Sequence, residues 1–191
     1  MIAPLLSLLI VAMSLFSSSV AADTTIVIMR HAEKPAAGLG QLTCQGLRRA
    51  LALPTKIHTT YGKPSFLYAA NPSIKKDDKG IPYSYIRPLA TIEPLAIADG
   101  LPVDIDWGMP EIDAVADHLI TGSGVQVVAW EHHWASKLAS AIVTKVGGTA
   151  SIPGWADDDF DSLYVIRVHG AIAQFSKEAE GLNGLPQDCP K

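Results

Sequence analysis

The sequence predicts an α/β fold: one domain built as a three-layer α/β/α sandwich around a mainly parallel sheet. Three observations predict it. Short apolar runs alternate with amphipathic helical stretches, the order that βαβ units produce. The runs are apolar on successive residues, so both faces of the sheet are covered. The chain has 191 residues, enough for one full core.

The elements follow in order. "TTIVIMR" (24–30) reads as a buried strand that ends abruptly in Arg30-His31. A loop rich in Gly and Ala, "PAAGLGQ", leads to "LTCQGLRRALAL" (42–53), where Leu47 and Leu51 mark a helix and Thr43 its N-cap. "SFLYA" (65–69) is a second strand. Residues 71–85 are polar and turn-rich, an excursion that suits a hairpin flap. "RPLATIEPLAIADG" (87–100) is a helix with Pro88 near its start and Gly100 at its end, and Pro94 inside it should kink or divide it. A proline-started helix (110–120), an all-apolar strand "GVQVVAW" (124–130), an amphipathic helix (135–148) and a last strand (162–168) complete the order.

Composition narrows the function. At 48% hydrophobic and 18% charged residues the chain is not disordered. A net charge of −4 argues against nucleic acid as a partner. Residues 1–22 contain no charged side chain, and Val20-x-Ala22 has the small-x-small form of a signal-peptidase site. The expectation is a signal peptide over 1–22, a single domain over 23–191, and an exported protein, periplasmic or secreted, free of the membrane after cleavage. An uncleaved anchor is the alternative. In an exported chain the two cysteines, Cys44 and Cys189, read as a disulfide tying the last residues back to an early helix, against two unrelated thiols. Oligomeric state is not legible.

In a parallel sheet, ligands bind beyond the carboxyl ends of the strands. Two strand ends here carry histidine: Arg30-His31 after the first, and Glu131-His132-His133 after the strand at 124–130. A crevice of histidines and arginines suits a phosphate group. Guanidinium binds phosphoryl oxygens bidentately, and a neutral imidazole can attack phosphorus. Nearby arginines would lower that imidazole's pKa and keep it nucleophilic. Such chemistry calls for no metal and no cofactor.

The motifs that carry this logic resemble the histidine phosphatase superfamily, with its phosphoglycerate mutase-like fold. "RHAEKP" looks like the family's Arg-His-Gly/Ala signature, "LTCQGLRRALAL" its Leu-Thr-x-x-Gly helix start, "YIRPLATIEPLA" the segment with the second arginine, and "VVAWEHHW" the strand with the second histidine. The "WEH", "WADDDFD" and "GLNGLPQDCP" segments resemble an exported bacterial branch. The resemblance implies His31 as phosphorylated nucleophile, Arg30 and Arg87 as the phosphoryl clamp, and His132 as second histidine. His133 stands beside it as a substrate contact, at a position where the family often has a small residue. The leaving-group acid is Glu131, or Glu111 or Asp113. Lys34 could touch the phosphate, or lie with Glu33 on a solvated loop at the pocket mouth.

The remaining candidates read as structural. Arg48 and Arg49 suit an exposed helix face, and His58, His118 and His169 carry no motif. Asp157 to Asp159 with Asp161 lack the spacing of a calcium loop and suit an acidic loop before the last strand. Residues 75–79 suit a solvated hairpin tip or a lid. Trp107, Trp130, Trp134 and Trp155 suit core or rim packing. The expected activity is metal-independent hydrolysis of a phosphorylated small molecule through phospho-His31. The alternatives are a catalytically silent phospholigand-binding protein and a phosphoglycerate-type mutase, which export argues against.

Overall fold

The computed structural model describes residues 23–191. The expected signal peptide lies outside the described residues. Strand β1 (Thr24–Arg30) leads into helix α1 (Cys44–Tyr61), strand β2 (Phe66–Ala69), the hairpin β3 (Lys75–Asp78) and β4 (Ile81–Ser84), and helix α2 (Arg87–Asp99). Strand β5 (Val103–Asp104), helix α3 (Ile112–Thr121), strand β6 (Gly124–Trp130), helix α4 (His132–Lys145) and strands β7 (Ser162–His169) and β8 (Ile172–Ala179) follow.

Six strands form the central sheet in the order β5-β2-β6-β1-β7-β8. The first four are mutually parallel, and β7 joins β1 antiparallel. Consecutive residues of β1 face opposite layers. Ile26 and Ile28 pack with Val128, Trp130 and the α3 and α4 residues Leu119, Leu138 and Ile142. Val27 and Met29 pack with Ala129, Leu53 and Ile57 of α1 and Ile92 and Leu95 of α2. These two cores make the three layers, as the apolar runs imply.

Local signals explain several boundaries. Thr43 caps α1, its Oγ1 accepting from Gly46 N at 3.0 Å. Gly100 ends α2 in the left-handed region at φ 66°. Gly40 also takes positive φ, and a side chain there would run into the Ser84 carbonyl, so the glycine loop seats directly on the hairpin.

Four expectations need correction. The helix at 42–53 continues through Pro54 to Tyr61. Its core face is Gly46, Arg49, Ala50, Leu53 and Ile57, while Leu47 and Leu51 are exposed. Pro94 does not divide α2, which is continuous over its whole span. Helix α4 begins at His132 rather than 135. Strands β5 and β8 are additional elements, in stretches to which the sequence assigns none. The Cys44–Cys189 disulfide is formed, with Cα atoms 4.4 Å apart, and ties the chain's end to the first turn of α1. No helix among the described residues is long and apolar enough to cross a membrane.

Candidate active site

Neighbouring strand ends build the site. Arg30 and Trp130 are register partners at the carboxyl ends of β1 and β6. The next residue, His31, donates its backbone N–H to the Trp130 carbonyl at 3.0 Å. His31 is buried, and its Nδ1 lies 2.7 Å from the Ala32 carbonyl oxygen. A carbonyl only accepts, so Nδ1 carries the proton and Nε2 keeps its lone pair. Burial pushes the His31 pKa well below the ordinary imidazole value, and the charges of Arg87 and Arg30 push it the same way. Ala32 N donates to Thr91 Oγ1 at 2.9 Å, which fixes the loop to α2.

Both expected arginines flank this histidine, each almost fully buried. Arg30 Nη1 donates to the carbonyls of Asp157, at 2.7 Å, and Asp159, at 3.1 Å, while its guanidinium lies over the Phe160 ring at 3.8 Å. Arg87 Nη1 donates to Asp78 Oδ2 at 2.8 Å and to the Gly38 carbonyl at 3.3 Å. Asp78, on the hairpin, also accepts from Gly40 N at 3.1 Å. Hairpin, glycine loop and α2 thus lock together around Arg87.

The second wall is the start of α4. Glu131 is its N-cap, Oε2 accepting from His133 N at 3.0 Å and Trp134 N at 3.2 Å. Lys76 Nζ of β3 reaches Glu131 Oε1 at 3.3 Å. Burial alone would raise the Glu131 pKa, but Lys76, His132 and the capping N–H groups outweigh it and hold the carboxyl below its usual range. His132 Nε2 donates to Asp157 Oδ1 at 2.8 Å. Burial lowers the His132 pKa against the pull of Asp157, and the His132 bond lowers that of Asp157.

A cavity of about 310 Å³ joins these groups, lined by Arg30, His31, Lys34, Lys76, Tyr85, Arg87, Glu131, His132, His133 and Asp157. Four buried polar atoms of its lining have no hydrogen-bond partner: Arg30 Nε, Arg87 Nε, Tyr85 Oη and His132 Nδ1. The two guanidinium Nε–H groups and the Tyr85 hydroxyl are orphaned donors, and beside two guanidinium charges they fit an oxyanion. Glu131, His132 and His133 also bring metal-ligand atoms within 4.8 Å of one another.

Arg30, His31, Lys34, Arg87, Glu131, His132 and His133 all line this one cavity. Glu111 does not. That residue is exposed outside the cavity lining, its Oε2 accepting from Gly108 N at 2.6 Å. Glu33 leaves the mouth and pairs with Arg49, which is buried, not exposed, and also binds Glu180 and Asp161. Sequence reading missed Lys76, Tyr85 and Asp157 as lining residues, and Asp78 as the partner of Arg87. Asp78 and Lys76 are β3 neighbours of opposite charge with no local pattern. Trp130 and Trp155 belong to the core, as expected.

No protein-family model matches the sequence, and no curated protein matches it. Solved structures do match. A protein described as the phosphohistidine phosphatase SixA of Nakamurella multipartitia superposes with a TM-score of 0.55 at 15% identity, covering 84% of this chain and 98% of that one. The protein histidine phosphatase SixA in complex with tungstate gives 0.54 at 13%, covering 82% and 97%. Phosphoglycerate mutase from Plasmodium falciparum gives 0.53 at 12%, covering 90% and 99%. The chain has the phosphoglycerate mutase-like fold. In that fold as this chain builds it, the cavity lies beyond the carboxyl ends of β1 and β6.

Proposed function

We propose that the protein is a phosphatase that hydrolyses phosphoesters through a phosphohistidine on His31, without a metal. The observation that carries this reading is the tautomer of His31: Nδ1–H held by the Ala32 carbonyl, Nε2 free, between two guanidinium groups with unpartnered nitrogens. In the first step Nε2 attacks phosphorus and the bond to the leaving oxygen breaks. Arg30, Arg87 and His132 hold the phosphoryl oxygens as their charge spreads. The anionic phosphoester is taken up with His132 as imidazolium paired to Asp157, and His132 passes one proton to the leaving oxygen and is left neutral. Water then attacks the phosphohistidine and releases phosphate and neutral His31, and its proton returns to that pair.

Glu131 acts in this reading by fixing the start of α4 and the position of Lys76. Glu111 takes no part. Lys34 and Lys76 add positive charge at the mouth, which suits an anionic small-molecule substrate. The uncharged first 22 residues and the Cys44–Cys189 disulfide support export. The neighbours described as histidine phosphatases share the fold that this chemistry needs.

Phosphate release from p-nitrophenyl phosphate tests the reading, from acidic to neutral pH, with EDTA present. Turnover that survives EDTA and is lost in His31→Ala is expected. Equal silence of both proteins would contradict it and leave a phospholigand-binding protein as the account of the cavity.

A further inference from the structure

The rim of the cavity gathers three side chains, of which the phosphoryl chemistry uses the His132–Asp157 pair and leaves His133 without a part. His132 Nε2 lies 2.8 Å from Asp157 Oδ1, and His133 Nε2 lies 3.5 Å from the same oxygen. The two imidazole rings lie against each other with centroids 4.0 Å apart. Ligands held at about 2.0–2.1 Å on a tetrahedral ion stand ~3.3 Å from one another, and the two observed separations bracket that value. We propose that His132, His133 and Asp157 bind one divalent ion of the zinc or copper kind.

The donor set selects the metal. Two imidazoles and one carboxylate suit zinc or copper, whereas magnesium and calcium prefer an all-oxygen shell. The outer shell is also in place. A histidine bound to metal through Nε2 donates its Nδ1–H to a carboxylate or carbonyl, and His132 Nδ1 lies 3.3 Å from Glu131 Oε1. That contact is off hydrogen-bonding geometry and Nδ1 has no partner, so a small turn of the ring onto an ion would close it. Glu131 is itself fixed by the α4 cap and Lys76. Entry is open: the His133 and Asp157 side chains are 62% and 83% exposed.

The ion takes the place between His132 Nε2 and Asp157, and the His132 proton moves from Nε2 to Nδ1, facing Glu131. The fourth position stays free for water or an anion. Such an ion withdraws His132 and Asp157 from proton delivery, so it opposes phosphatase turnover rather than serving it.

Isothermal titration of Zn²⁺ into the EDTA-stripped, disulfide-intact protein tests the site, with circular dichroism confirming the fold of each variant. One ion per chain is expected, with His133→Ala and Asp157→Asn each weakening binding by about tenfold or more. His169→Ala, on the far end of β7, should bind as wild type does. No 1:1 binding below millimolar Zn²⁺, or binding that survives either rim substitution, would overturn the proposal. The titration needs no turnover, so its failure and that of the phosphatase reading are separable.

Discussion

Arg30 of β1 and Trp130 of β6 are register partners, and that pairing sets His31 and Glu131-His132 side by side beyond the sheet. The His31 backbone N–H closes the same ladder onto Trp130. A one-residue slip of β1 against β6 would send every core residue of β1 to the wrong layer. The geometry of the cavity therefore rests on the same apolar pattern that holds the core, and the site needs no separate scaffold.

His31 should remain neutral well into acid. Its folded pKa is depressed by burial and by Arg87 and Arg30. The corresponding stability is present above the unfolded value of 6.5 and is lost as pH falls toward the folded one. NMR titration of the ring carbons checks this. Titration near the ordinary imidazole value would contradict it.

Arg87→Ala should cost both stability and activity. Asp78 would stay buried without its cation, a loss of about 3 kcal/mol. Removing one phosphoryl donor should also lower kcat by roughly 10²–10³-fold. Chemical denaturation separates the first effect from the second: the double variant Arg87→Ala, Asp78→Ala should regain part of the stability and none of the turnover.

Arg49 gathers Glu33, Asp161 and Glu180 about one guanidinium. Burial pushes the Glu180 carboxyl up from 4.5 to about 7, and its Oε1 has no partner. Here the protonated form is favoured by folding, so ionisation between those two values weakens the native state. The slope is about 1.4 kcal/mol per pH unit at most. Glu180→Gln should gain on wild type as pH rises through that window and hold a constant lead above it. A wild type more stable than the variant at pH 8 would contradict this.

The disulfide closes nearly the whole domain, its cysteines 145 positions apart in the sequence. Cys44→Ser with Cys189→Ser should lower unfolding stability by about 2–5 kcal/mol. Alkylation without reductant should leave both native thiols unlabelled. Labelling of both would remove the disulfide from the account.

Much of this was legible in the sequence because strands announce their ends. Apolar runs located β1 and β6, and the charged residues after them had nowhere to go but the crevice. Arg49 was hidden by its neighbour Arg48, although the stripe Gly46, Arg49, Ala50, Leu53, Ile57 follows helical spacing and Leu47 and Leu51 do not face the core. Strand β8 was hidden because an edge strand with little burial keeps polar residues, as "IAQFSKEA" does. Asp157 and Lys76 were hidden for a different reason. They arrive on loop and hairpin from distant parts of the chain, and only tertiary packing brings them to His132 and Glu131.

The most direct test of the central claim is to trap the intermediate. The protein is mixed with p-nitrophenyl phosphate, quenched rapidly in base, where phosphohistidine survives, and digested for mass spectrometry. The account predicts one phosphoryl group on the peptide containing His31, absent from His31→Ala and lost on a chase without substrate. Turnover with no phosphoryl group on His31, or with one on another residue, would contradict it.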